Sequence, residues 1–124
     1  MKNLILTFDY ELFLNESGTI ENCILKPVNL LRPILKKGNI QAVFFIDVLF
    51  LIRLKEEGLI DQYAQVKKNI QELIIEGHDI ELHLHPHWID ATYDSQKGTW
   101  DLKNNKNYRV HKLPKELRVK LFGD

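Results

Sequence analysis

The chain has a single cysteine, Cys23, so it can form neither an internal disulfide nor a cysteine-rich zinc site. It has no excess charge of either sign, because 17 Lys and Arg stand against 17 Asp and Glu. That balance argues against a nucleic-acid glove and against a polybasic membrane anchor. No apolar run approaches the ~20 residues of a membrane span. The first eight residues are too short for a signal-peptide core and run directly into Asp9 and Glu11. No internal repeat or low-complexity segment is visible. The expectation is a soluble, cytoplasmic protein with no nucleic-acid partner and no membrane span.

What is present fits one domain, residues 1–124. Hydrophobic residues make up 44% and charged residues 27%, which argues against disorder. A compact chain of this mass exposes roughly 6,900 Å². Residues 3–8, NLILTF, are apolar at successive positions and predict a buried strand. Residues 40–46, IQAVFFI, predict a second, and residues 79–84 a third. Polar residues 15–23 predict a loop. Pro27 then opens a helix carrying Val28, Leu31, Ile34 and Leu35 up to Gly38, with Pro33 expected to kink or split it. Residues 48–54 predict a second helix, and Tyr63, Val66, Ile70, Leu73 and Ile74 a third that stops at Gly77. Residues 90–109 predict a long loop, and Pro114 opens a last helix through Leu117 and Leu121.

Strands alternating with helices predict an α/β fold with parallel strands. Both of the first two strands are apolar on both faces, so helices are expected to cover both faces of the sheet. In such folds the chemistry lies at the carboxyl ends of the strands. The polar clusters fall there: Asp9-Tyr10-Glu11 after the first strand, Asp47 after the second, and His83 to Trp88 after the third.

Four of the five histidines lie between positions 78 and 87. Imidazole is a common metal ligand. His83 and His85 share a face if the strand continues. His83 and His87 share a side if a helical turn follows, which Pro86 permits. The spacing leaves H-x-H and H-x-x-x-H both open, beside a histidine cluster that binds no ion. Asp9 and Glu11 point the same way from a strand, so one can hold a cation while the other takes a proton from water. Asp47 reads as a support behind the metal ligands or as a helix cap, the cap being the expectation. Trp88 and Trp100 offer sugar-stacking faces or buried packing.

The segment LTFDYELF (6–13), followed by EGHDIELHLHPH (76–87), resembles the NodB-type polysaccharide deacetylases. That family has a T-F-D-D strand end and a later G-H-E-[IL]-x-x-H-x-x-x-H segment. QAVFFID (41–47) is similar to the family's A-T-F-F-V strand. The resemblance implies a hydrolase dependent on a divalent metal, zinc being the expected ion, that removes N-acetyl groups from the amino sugars of a polysaccharide or glycolipid. It implies an incomplete or distorted (β/α) barrel. By it, Asp9 is the catalytic base, His83 and His87 are metal ligands, and His78 is structural. The family's second aspartate falls at Tyr10, and Glu11 is the replacement as metal ligand. The family's arginine/aromatic segment and late histidine have no clear equivalent, since Arg109 and His111 lack the strand context.

Two other classes fit the residues. One is another metal-dependent hydrolase, amidohydrolase- or phosphoesterase-like, using His83-Leu84-His85. The other is a non-catalytic domain that binds metal or sugar. A (β/α) barrel takes about 200 residues or more. The chain is therefore expected to be the N-terminal portion of a longer fold, self-associating or dependent on a missing C-terminal portion, with little turnover alone.

Overall fold

The computed structural model describes residues 4–12, 18–103 and 106–123. Strands β1 (Leu6–Tyr10), β2 (Ala42–Asp47) and β3 (Asp79–His83) form a three-stranded parallel sheet in the order β1-β2-β3. Helices α1 (Lys26–Gly38), α2 (Val48–Glu56) and α3 (Ile60–Ile75) alternate with the strands, and α4 (Lys115–Phe122) follows. The expected α/β fold with parallel strands is present. Among the described residues the sheet is open, with β1 and β3 at its edges and no closed barrel.

Parallel strands placed in sequence order by crossovers of one hand carry their helices to one face. Phe8, Phe44 and Ile80 lie in one row across the sheet, and Tyr10 and Ile46 in the next. This is the covered face, where Phe44, Ile46 and Tyr10 are buried. The Tyr10 hydroxyl donates to Asn69 Oδ1 of α3 at 2.9 Å, and Asn69 Nδ2 donates to Asn29 Oδ1 of α1 at 3.2 Å. Both helices thus reach the same side. Arg32 of α1 also clamps Glu72 of α3 and Glu76 just past its end, at 2.5 and 2.7 Å.

The opposite face carries Thr7, Asp9, Val43, Phe45, Glu81 and His83, all exposed or half-buried. Helices do not cover both faces as expected, because the sequential strand order sends them to one. The chain exposes 8662 Å², more than a compact globule of its mass would.

Two segments depart from the expected loops. Of residues 15–23, the last four are helical: the chain turns at Ile20 into a π-helical segment, Glu21–Leu25, that runs directly into α1. Ile20, Ile24, Val28 and Leu35 are buried along it, which explains why the helix starts so early. Residues 15–17 lie outside the described residues. Helix α1 is not split at Pro33, whose ring is on the exposed side. Within residues 90–109, β4 (Thr92–Asp94) and β5 (Thr99–Asp101) form an antiparallel hairpin. Its cross-strand pair Tyr93 and Trp100 packs at a centroid distance of 5.0 Å. Its turn is closed by Gly98 at φ 66° and by the Asp94 carboxylate, which accepts the amides of Gln96 and Lys97. Residues 104–105 lie outside the description. Among the described residues, no helix is long and apolar enough to cross a membrane.

Candidate metal centre

The carboxyl ends of β1 and β3 bring the candidate residues together. Asp9, within β1, and Glu11, just past it, project to the open face because they are two residues apart on extended backbone. His83 ends β3, and His85 stays extended at φ −109° and ψ 99°, so these two also share a side. Pro86 then opens a tight 3-10 turn, Pro86–Asp90, in which a missing N–H is no loss.

Glu11 Oε2 lies 3.2 Å from His83 Nε2 and forms a very short hydrogen bond with His85 Nε2. His83 Nε2 and His85 Nε2 are 2.7 Å apart. The three donor atoms all lie within 4.8 Å of one another. Two imidazoles and a carboxylate form the nitrogen/oxygen donor set that zinc takes; tetrahedral ligands about 2.0–2.2 Å from one ion stand about 3.3–3.6 Å apart, so an ion would spread these three donors slightly. Asp9 stands beside this group with Oδ1 3.9 Å from His83 Nδ1, and its side chain is 60% exposed.

His87 is not among the three converging donors, although it neighbours them. Its ring centroid lies 5.1 Å from that of His85, and it also stacks against Trp88 and Tyr108. It is 2% exposed, and neither ring nitrogen has a hydrogen-bond partner. A buried donor or acceptor without a partner is costly, and ligation would satisfy one of these nitrogens. The donor set and this orphaned imidazole both fit a divalent cation.

The electrostatics follow from the contacts. The hydrogen bond from His85 holds the Glu11 carboxyl below its usual range, aided by the charges of His85, His83 and His87 and opposed by burial. The same bond raises His85. Burial pushes His87 down to about 4, so its ring is neutral and its lone pair free. An ion would replace the proton that Glu11 stabilises on His85.

The other sequence candidates are also located. His78 is buried, and its Nδ1 accepts the Ala42 amide at 3.3 Å, which is structural support at the start of β3. Trp88 and Trp100 are buried and pack edge to face at 5.1 Å, so they are core rather than sugar platforms. Arg109 and His111 are exposed. Asp47 takes the N-cap position of α2 but makes no side-chain capping bond there, because its carboxylate turns to the Trp88 indole instead. The sequence reading missed Tyr108, whose ring lies 6.3 Å from His85 and 6.0 Å from His87. No spacing rule links it to them.

No protein-family model, curated protein or solved structure matches the chain.

Proposed function

We propose that the chain carries the metal centre of a hydrolase of the NodB-type polysaccharide deacetylase kind, acting on N-acetylated amino sugars. The observation that supports it most is that Asp9, Glu11 and His83 come together at the carboxyl edge of a parallel sheet, with the unpartnered ring of His87 next to that of His85. A divalent ion, zinc by the character of the donors, would supply Lewis-acid polarisation of an acetamide carbonyl and would acidify water. The chain's own residues do the rest. Glu11, His83 and the neighbouring histidines hold the ion. Asp9, exposed on the open face, accepts the proton of the attacking water. Acetate and a free amine are the products.

The proposal includes the barrel. Sequential parallel strands with helices on one face describe an arc of a (β/α) barrel, and the bare face with Asp9, Phe45 and His83 is the one such a barrel turns inward. The free Cys23 suits a reducing compartment, and the proposal takes the cytoplasm as the site of action.

One observation favours a second reading. His83 and His85, an H-x-H pair, have the converging nitrogens, as in amidohydrolase- or phosphoesterase-like metal hydrolases. Incubating the zinc-loaded chain with N-acetylated chito-oligosaccharides, and separately with phosphate esters, tests both. Acetate release that Asp9→Asn abolishes supports the deacetylase. Phosphate release without acetate supports the second reading. Neither product at any enzyme concentration, from protein with bound zinc, leaves a metal-binding domain without catalysis.

A further inference from the structure

Asp47 is a charged residue sealed beneath the histidines. It ends the central strand, its Cα is paired with that of His83, and it is 1% exposed. Its Oδ2 accepts the Trp88 indole N–H at 2.5 Å, while Oδ1 is buried with no hydrogen-bond partner. An apolar side chain at the end of a central strand would pack there without the penalty of burying a half-satisfied carboxylate. The helix cap does not explain the residue, because the capping bond is not made.

One feature points toward the metal centre. Trp88 lies in the Pro86–Asp90 turn that follows His85 and contains His87, and its ring packs on Phe50, His87 and Trp100. The bond from Trp88 to Asp47 therefore ties this turn to the end of β2.

We propose that Asp47 is a positioning residue for the metal centre, fixing the His85–His87 turn through Trp88. This rests on the metal reading above. It assigns Asp47 no contact with substrate.

The test is zinc affinity of the whole chain, measured by competition with a fluorescent chelator, beside melting temperature of the same samples in excess chelator. Asp47→Leu keeps the bulk and removes the acceptor for Trp88. It should weaken zinc about tenfold, the lower end of such outer-sphere effects, without lowering the melting temperature. Affinity within about twofold of wild type would overturn the proposal, as would a loss that only tracks a smaller folded fraction. In a Trp88→Phe background the Asp47→Leu step should shrink to under about twofold. A full effect persisting there would overturn the route through Trp88. Trp88→Phe keeps the ring packing and removes the N–H, and it should also weaken zinc. Wild-type affinity in folded Trp88→Phe would overturn the anchoring role. If wild type binds no zinc, the metal reading and this proposal both fall. If wild type binds and Asp47→Leu binds equally, only this proposal falls.

Discussion

His87 should make the metal-free protein sensitive to acid, and His87→Phe should remove that sensitivity. The ring is buried without partners, which lowers it from 6.5 to about 4. Between those values the unfolded chain holds a proton that the folded chain does not. The stability is therefore complete above 6.5 and is lost as the pH falls through about 4. The gap corresponds to about 3 kcal/mol at about 1.4 kcal/mol per unit. Roughly 2 kcal/mol of it should be gone by about pH 4.5. Asp47 has the opposite sign: raised from 3.8 to about 6, it loses favour as the pH climbs through that window. The wild-type profile alone therefore hides the effect, and the difference between variant and wild type isolates it. Phe changes the packing against Trp88 and Tyr108, but that contribution is the same at every pH. Urea unfolding in excess chelator, near pH 7.5 and near pH 4.5, should show the variant gaining about 2 kcal/mol on wild type at the lower pH. A difference that stays constant within about 0.5 kcal/mol would refute the buried, unprotonated ring.

Asp9→Asn should retain zinc and abolish acetate release, whereas Glu11→Gln should weaken zinc by at least about tenfold; the reverse pattern in chelator competition would exchange their roles. Tyr10→Phe should lower stability by about 1–2 kcal/mol in urea, because Asn69 loses its buried donor, and should leave zinc affinity unchanged, since the hydroxyl is on the covered face. Gly77→Ala should cost about 1–2 kcal/mol, because Gly77 sits at φ 86° with Gln41 Nε2 only 3.2 Å from an added Cβ; an unchanged urea midpoint would contradict it.

The central strand was legible because it is a largely buried segment ended abruptly by Asp47; the edge strands are less buried than their sequence suggested, with Leu4 and Ile5 exposed ahead of β1, which starts at Leu6 and runs on to Tyr10. Residues 42–46 are apolar at every position, and Asp79 to His83 follows a glycine stop. The hairpin was not legible, since two strands of three residues, Thr92–Asp94 and Thr99–Asp101, are too short for a period to show. A Tyr and a Trp flanking a glycine turn were the available signal. The helical start at Ile20 was hidden by Glu21 and Asn22, although Ile20, Ile24 and Val28 already repeat every four residues. At the site, the sequence named Glu11 and His83, and the structure brings both together with His85. The choice between His85 and His87 turns on how far extended backbone continues past His83. That is set by Pro86 and by the Trp88 bond to Asp47, which joins residues 41 positions apart.

Anomalous scattering at the zinc edge, from crystals of untagged protein grown with zinc, tests the central claim most directly. One peak per chain is expected, bonded to Glu11, His83 and His85. No peak at saturating zinc, or a peak bonded to neither Glu11 nor His83, would contradict the account.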